Sequence, residues 1–450
     1  MVPRRPAGFK PPVIVRPVTL APPPPARPAA RLPAFGVRRL LGTFPALRHR
    51  NFRLFVGGQL VSLVGTWMQQ VAHGWLVLQL SDSAFIVGLV SALGSLPILL
   101  LTLYGGVVAD EADKRRLVLW LQAGMMLEAL VLAVLTVTGQ ITVPLVMLLA
   151  ALFGVMAAFE VPARQALVPE LVGRADLLNA VAINSMTFNV SRVIGPAIAG
   201  VVIATAGIAA CFFANAASFL AVIAGLWAMR VPSHDAAAAP RRRVLPAIRE
   251  GFDYIWAHRW PRWLLIQFAL LTVFGFSFVP LLPVLAKDAL ATGAGGYGAL
   301  AAAVGVGAAG GALAVAAWSG RMREGPLALR TGIAFGAGLA LLALAPSVPV
   351  AMLLLALLGA LMAIASIATN TTVQRHCPDA LRGRVLSVYA WVVLGMAPFG
   401  SFQMGWVAER LGVKGAYLLG GVACVLAGAV IGGLMHREAR ERLAAREEEG

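Results

Sequence analysis

Apolar stretches follow one another almost without interruption from about residue 52 to residue 435 of this 450-residue chain. Most of them reach about twenty residues, the length that an α-helix needs to cross the hydrocarbon layer of a membrane. The pattern therefore predicts twelve membrane-spanning helices. Their expected bounds are 52–80, 84–109, 117–137, 141–159, 177–204, 208–228, 263–286, 296–318, 328–345, 348–368, 385–408 and 415–435.

The composition agrees with this pattern. Hydrophobic residues make up 59% of the chain and charged residues only 13%, and the mean hydropathy is +0.81. A soluble fold has too little interior to hide so much apolar surface. The stretches are also rich in glycine and alanine, small residues that let helices approach closely in lipid. We therefore expect an all-α polytopic membrane protein rather than a β-barrel.

The formal net charge is +17, and the basic residues collect in every second loop. Loops rich in Lys and Arg stay on the cytoplasmic side, so both termini are expected to be cytoplasmic. The opposite loops hold Lys287, Arg410 and Lys414. A nucleic-acid surface is disfavoured, because aromatic residues do not interleave with the charge. The basic loops contain Lys114, Arg115, Arg116, Arg164, Arg174, the cluster 230–262, Arg321, Arg323, Arg330, Arg375, Arg382, Arg384 and Arg437.

An internal repeat of about 210 residues relates the two halves of the chain. Gln165 and Pro169, after the fourth segment, correspond to Gln374 and Pro378, after the tenth. Six helices thus occur twice. The expected order is a disordered Pro- and Arg-rich cytoplasmic tail at 1–50, a six-helix bundle at 51–230, a cytoplasmic linker with an amphipathic helix at 231–261, a second six-helix bundle at 262–436 and a cytoplasmic tail at 437–450.

The sequence carries no pattern for nucleotide hydrolysis, metal binding or catalysis. None of its lysines follows a glycine, so a phosphate-binding loop is missing. Its three cysteines and six histidines are scattered without metal-ligand spacing. We therefore expect neither enzyme activity nor a cofactor or metal.

The loop between the second and third segments, residues 105–116, resembles the signature loop of the major facilitator superfamily. Gly106, Asp110 and the following basic run match that signature, whereas Glu111 and Asp113 depart from it. Residues 47–55 and 65–69 are similar to the branch that contains the enterobactin exporter and related multidrug exporters.

This resemblance implies two six-helix bundles related by a pseudo-two-fold axis, with the substrate between them near the membrane midplane. It also implies a conformational latch, in which Asp110 meets Arg164 and the start of the eleventh segment near Arg384. The alternative is a solvated loop that only fixes orientation.

The fifth segment carries Gly195, Pro196 and Gly200 in a stretch that resembles the Gly-Pro motif of exporters in this superfamily. Proline removes a helix hydrogen bond and the glycines permit close packing, so this stretch is a candidate helix-bending motif. The alternative is ordinary helix packing.

Ionisable residues within membrane segments are costly and are therefore candidates for function. Arg192 lies one turn before Gly195. It is expected either to bind an anionic substrate or carboxylate in the cavity, or to extend toward the cytoplasm. Glu128 in the third segment is a candidate proton site, and its alternative is a polar pairing away from the substrate pathway. Glu160 and Arg164 are expected to form a structural ion pair.

Polar residues recur at steps of three or four along the first segment, so they share one helix face. By resemblance the first helix lines the central cavity, which makes this stripe a candidate substrate surface. The alternative is a set of packing hydrogen bonds. Its members are Gln59, Ser62, Thr66, Gln69 or Gln70, and His73. Weaker polar candidates are Asn184, Asn189, Gln267 and Asn370.

The resulting hypothesis is a monomeric, proton-coupled exporter of drug-like compounds or siderophores that works by alternating access in a bacterial inner membrane. Its partners are then a small-molecule substrate, protons and the lipid bilayer. Two alternatives stay open: a nutrient importer or facilitator of the same fold, and a membrane sensor or scaffold that transports nothing.

Overall fold

The structure, a computed structural model, describes residues 44–229, 244–318, 324–378 and 381–448. The tail predicted at 1–50 therefore lies outside the described residues up to Thr43, and the predicted linker does so up to Arg243. Within the described residues a short 3-10 turn at Pro45–Arg48 precedes the first long helix. The helices are α1 Arg50–Ser81, α2 Ala84–Glu111, α3 Lys114–Val137, α4 Val143–Val172, α5 Leu177–Ala206, α6 Ile208–Ala228, α7 Val244–Ala257, α8 Arg259–Leu270, α9 Ala294–Trp318, α10 Glu324–Leu342, α11 Val348–Arg375, α12 Arg382–Gly395 and α13 Ala397–Glu448.

Twelve membrane crossings account for these helices, apart from α7, which lies in the linker. Ten stretches of the described chain are long and apolar enough to span a membrane, and one of them, Arg382–Glu438, contains two crossings. The remaining crossing is α1, which has 32 residues but a lower hydropathy because glutamines and His73 interrupt it. The prediction of an all-α, twelve-helix membrane protein is confirmed.

The two halves repeat the same helix arrangement. α2 packs on α4 and α3 on α6 in the first half, as α9 packs on α11 and α10 on α13 in the second. Gly207 separates α5 from α6 with φ 85° and ψ 171°. Gly412 interrupts α13 in nearly the same conformation, with φ 73° and ψ 164°. Glycine adopts this positive φ without steric cost, so each half ends with two helices joined at a single residue.

The helix that opens the second half is irregular. After α8 the chain continues through a π turn at Leu271–Gly275 and a 3-10 turn at Phe276–Leu281 before its last turn. Pro280 and Pro283 lie in this stretch and lack the N–H group that a regular helix requires. The predicted span 263–286 is therefore one crossing whose second part is distorted.

Several helices extend beyond their predicted apolar bounds at the end of the molecule that carries the basic loops, here called the basic end. α4 continues past residue 159 to Val172. The expected ion pair joins Arg164 to Glu160 at 2.9 Å, and Lys114 pairs with Glu170 at 2.9 Å. These pairs satisfy charges on helix turns that apolar periodicity cannot detect.

Residues 44–49, assigned to the disordered tail from composition, are instead packed against the start of α5. The backbone N–H of Ala46 donates to Asn179 Oδ1 at 3.1 Å, and His49 Nε2 lies 2.8 Å from Asp176 Oδ2. Ala46 itself is fully buried. Tertiary hydrogen bonds therefore order a segment whose composition favours disorder.

Candidate functional site

Glycines bring the two bundles together along α5 and α9. A Cβ atom built on Gly298 would lie 2.6 Å from the Cα atom of Gly200 and 2.7 Å from the carbonyl oxygen of Pro196. A Cβ atom built on Gly305 would lie 2.7 Å from the carbonyl oxygen of Arg192. The Gly-Pro stretch of α5 thus lies at a backbone contact between the bundles.

A second contact joins α2 to α12 and α13. A Cβ atom built on Gly88 would lie 2.7 Å from the Cα atom of Gly405. At the end of the same interface, Ser83 Oγ donates to Glu409 Oε2 at 2.9 Å. The bundles therefore meet along two opposite edges.

Both contacts lie in the part of each helix that is remote from the basic end. Their innermost points are near the helix midpoints, where Arg192 meets Gly305 and Leu99 meets Gly395. From these points toward the basic end, each helix continues for more than about three turns, or roughly 18 Å. The described contacts thus close the end opposite the basic loops.

The three residues of the predicted latch are not in contact in this conformation. Asp110 is exposed and has no ion pair within the described residues. Arg164 binds Glu160, and Arg384 binds Glu250 of α7. Gly106 faces open space, since a Cβ atom built on it would meet nothing within 4 Å.

The described part of the linker, α7, is docked against the start of α12. Its Glu250 pairs with Arg384, and a Cβ atom on Gly251 would lie 2.7 Å from the Arg384 carbonyl oxygen. Tyr254 Oη donates to the carbonyl oxygen of His376, and Ile255 is only 2% exposed. The amphipathic helix therefore gives Arg384 a carboxylate partner that is not Asp110.

A buried polar network lies inside the first bundle. Gln69 Nε2 donates to Glu128 Oε2 at 2.9 Å, and Asn215 Nδ2 donates to Gln69 Oε1 at 2.7 Å. Ser218 Oγ donates to Asn215 Oδ1 at 3.0 Å. All four side chains are less than 9% exposed. The network joins α1, α3 and α6 and gives Glu128 an amide partner, with no cation near it among the described residues.

Gly65 makes room for this network. A Cβ atom built on it would lie 2.3 Å from Ser218 Oγ and 2.5 Å from Asn215 Oδ1.

We expect Gly65→Val to lower the free energy of unfolding by about 1–3 kcal/mol through overpacking, measured as a lower Tm in detergent. The control is Gly57→Val on the same helix, where nothing lies within 4 Å. Equal Tm values for the two variants would contradict this packing.

The polar stripe of α1 points mainly into the first bundle and away from the second. Gln59 and Ser62 are 2% and 3% exposed, and His73 reaches the backbone of Val146 in α4. Thr66 donates to the Ser62 carbonyl oxygen at 2.9 Å. The expectation that this whole stripe lines the cavity is therefore not met, because helix packing in the bundle uses that face. Gln70 differs, since it is exposed.

The face of α1 that points toward the second bundle carries Trp67 and Gly74. A Cβ atom on Gly74 would lie 3.0 Å from Tyr297 Oη of α9. Trp67 lies two turns away on the same face, and Gly195 of α5 packs against its Cβ atom. The guanidinium of Arg192 lies 5.7 Å from the centroid of the Trp67 ring. This places Arg192 where α1, α5 and α9 meet.

The remaining polar candidates do not join one site. Gln267 donates to the Leu329 carbonyl oxygen at 3.1 Å and so packs against α10. Asn189 donates to the Ser185 carbonyl oxygen at 2.8 Å, one turn back in its own helix. Asn370 accepts from Gln374. Asn184 is partly buried, and its Oδ1 has no hydrogen-bond partner in the described residues.

Residues that the sequence did not single out contribute to the buried network, to the surroundings of Arg192 and to the ion pair of Arg384. Trp67 lies in the stretch 65–69 that resembles the exporter branch, whereas Asn215 and Glu250 match no motif. The available signal for Asn215 was an amide within an apolar segment. No sequence signal pairs Glu250 with Arg384, because the two residues are far apart in the chain.

Solved structures with this architecture are transporters. The nucleoside transporter NupG is 12% identical with a TM-score of 0.67, covering 86% of this chain and 99% of that one. A bacterial homologue of the iron transporter ferroportin, in an inward-facing state, is 18% identical with a TM-score of 0.66, covering 86% and 98%. These likenesses show that the chain shares the fold of two contacting six-helix bundles with those proteins.

The sequence comparison gives the family. The profile of the family described as transmembrane secretion effector matches residues 41–448, and this chain belongs to that family. Similar proteins include the Staphyloferrin A transporter of Staphylococcus aureus, 28% identical over 83% of this chain and 93% of its own. The multidrug efflux pump Tap of Mycolicibacterium fortuitum is 28% identical over 84% and 94%. The enterobactin exporter EntS of Escherichia coli is 28% identical over 86% and 87%.

The family and the fold agree with the resemblance seen in residues 105–116. The protein is a multi-pass protein of the bacterial inner membrane.

Proposed function

We propose that this protein is a proton-coupled exporter that moves small molecules out of the cytoplasm by alternating access. The observation that carries this proposal is the contact pattern between the bundles, which closes the end opposite the basic loops. With the basic end in the cytoplasm, this conformation opens the pathway to the cytoplasm, where an exporter takes up its substrate and an importer releases it. Both termini are then cytoplasmic, and one chain contains the complete pathway.

The direction of transport is supported by two further observations. The Gly-Pro stretch of α5 lies at the contact that must separate when the outer end opens. Relatives with similar sequences carry the names exporter and efflux pump, and the family is described as a secretion effector.

We assign proton coupling to Glu128. An ionised carboxylate is expensive to bury unless a cation compensates it. Among the described residues Glu128 has an amide partner, Gln69, but no ion pair. Binding of a proton removes the charge, and Gln69 transmits the change to α1, one of the helices next to the second bundle.

The latch proposal becomes a change of partner for Arg384. In the present conformation Arg384 binds Glu250, and when the basic end closes we propose that it binds Asp110. Asp110→Asn should then favour the open basic end, and Glu250→Gln should favour the closed one. Because Arg384 and Glu250 are about half exposed, such a contact is worth about 0.2–1 kcal/mol and shifts the equilibrium about 1.5- to 5-fold.

The measurement is the distance between spin labels at Leu178→Cys and Gly383→Cys, exposed positions at the basic ends of α5 and α12. We expect Asp110→Asn to reduce the short-distance population and to impair efflux, while insertion into the membrane is unchanged. Glu250→Gln should enlarge the short-distance population. Unchanged distances and efflux in Asp110→Asn would reject the latch.

The function itself is tested by the accumulation of fluorescent dyes in an efflux-deficient bacterium that expresses the protein. A matched set of cationic, neutral and anionic dyes is measured with and without a protonophore. Reduced accumulation that the protonophore abolishes supports proton-driven export. Increased accumulation indicates import, and unchanged accumulation with confirmed insertion rejects broad dye efflux.

A further inference from the structure

Arg192 is a cation without a counter-ion between the two bundles. It lies about halfway along α5, and it is partly buried. Its guanidinium has no carboxylate or hydrogen-bond partner within the described residues, and it lies 5.7 Å from the centroid of the Trp67 ring. Glu128, midway along α3, differs, since it has a hydrogen-bond partner in Gln69.

The backbone around Arg192 is fixed from both sides. Gly195 packs against Trp67 of α1, and Gly305 of α9 packs against the Arg192 carbonyl oxygen. Helical geometry places Trp67 on the face of α1 opposite Gly65, which packs into the first bundle. The guanidinium is therefore held where α1, α5 and α9 meet, and both bundles bound the space beside it.

Aromatic surface accompanies the charge. The Trp67 ring meets the Phe188 ring edge-on, with the centroids 5.7 Å apart, and Phe188 is 42% exposed. A guanidinium within cation–π range of a tryptophan ring keeps its N–H groups free for a carboxylate, which it binds through two parallel hydrogen bonds. The site thus offers an apolar aromatic wall beside an uncompensated positive charge.

We infer that Arg192, Trp67 and Phe188 form a substrate subsite for aromatic or amphiphilic organic anions, whose carboxylate supplies the counter-ion that Arg192 lacks. This inference rests on the transport function proposed above and narrows its substrate class. Cationic compounds are poor substrates for the same site, because the unpaired guanidinium repels them and because they lose hydration there without gaining an opposite charge.

The test is binding to the full-length protein purified in detergent, measured by equilibrium dialysis with tritiated 1-naphthaleneacetate and its neutral amide, 1-naphthaleneacetamide. We expect the carboxylate to bind about 10- to 100-fold more tightly than the amide. Arg192→Gln should remove this preference, and Arg192→Lys should retain part of it, since lysine keeps the charge but not the two-bond geometry. Trp67→Leu should weaken both ligands without changing their ratio.

The matched control is Arg410→Gln. Arg410 likewise lies over a tryptophan, with its guanidinium 3.9 Å from the Trp406 ring centroid, but it is exposed at the end opposite the basic loops. This variant should keep the wild-type preference. Equal binding of the two probes by the wild type, failure to bind either, or an unchanged preference in Arg192→Gln would overturn the inference.

The experiment does not require transport, so it separates this inference from the proposed function. Binding with the expected preference but no efflux in cells would count against export while supporting the subsite. Efflux without any carboxylate preference would support export and count against the subsite. If Arg192→Gln does not fold, two other measurements take its place. One is the carboxylate preference of Arg192→Lys, and the other is the ratio of binding of the two probes to the wild type in excess acetate. A wild-type preference in Arg192→Lys together with an unchanged ratio in acetate would reject the site.

Discussion

Gly298→Val is expected to abolish transport while the protein still inserts into the membrane. A Cβ atom at this position would lie 2.6 Å from the Cα atom of Gly200 and 2.7 Å from the Pro196 carbonyl oxygen. Both obstacles are backbone, so neither can rotate away. Overpacking of about 1–3 kcal/mol would arise only in the conformation in which the bundles meet at these glycines. It would shift the equilibrium away from that conformation by about 5- to 150-fold.

The same helix supplies the control. Gly310 lies on α9, where a Cβ atom would meet nothing within 4 Å, so Gly310→Val should transport at close to the wild-type rate. Efflux is measured in cells with equal amounts of each variant in the membrane. The outer end of Gly298→Val should also become accessible to a membrane-impermeant thiol reagent at Tyr297→Cys. Wild-type efflux by Gly298→Val would show that the bundles do not meet at these glycines.

Glu128→Gln should lose proton-driven transport but retain substrate exchange. Glutamine keeps the size of the side chain and an oxygen that accepts from Gln69 Nε2, as Glu128 does at 2.9 Å, but it cannot take up a proton. The buried network should therefore survive while the coupling is lost. In proteoliposomes, transport driven by an imposed pH gradient should fall to the level of protein-free vesicles. Counterflow, which needs no net proton movement, should continue.

An exposed carboxylate provides the comparison. Glu111 lies at the end of α2 and is exposed, so Glu111→Gln should leave both gradient-driven transport and counterflow near their wild-type values. If Glu128→Gln still responds fully to the pH gradient, the proton is carried by another residue. If it loses counterflow as well, the side chain has a packing or binding role that glutamine does not fill.

Much of the fold was predictable because it follows from local composition. A bilayer satisfies no backbone hydrogen bonds, so apolar stretches of sufficient length form helices. This is why residues 84–109 and 208–228 agree closely with α2 and α6. The repeat could be found from residues near Pro169 and Pro378, since each half has the same architecture. The ends were harder: α4 continues through Glu160 and Arg164, where ion pairs rather than hydrophobicity stabilise the helix.

The candidate site was less accessible to sequence reasoning. The spacing of Gln59, Ser62 and His73 correctly places them near one helix face, but spacing does not say which neighbour that face meets. Gly65 shows the answer, because it packs against Ser218 and Asn215 inside the first bundle. Gln69 and Gln70 are adjacent in the chain, yet one is buried in the network and the other is exposed.

The sequence by itself determined the membrane-spanning helices, the two-fold repeat and the expected orientation, because each depends on the hydrophobicity and charge of consecutive residues. Only the tertiary structure decided the partners of the polar groups. It paired Arg384 with Glu250, buried Glu128 inside the first bundle beside Gln69, and left Arg192 beside Trp67 without a carboxylate. The physical reason is that hydrogen bonds and ion pairs need partner atoms within about 3–4 Å, and those distances are set by helices far apart in the chain.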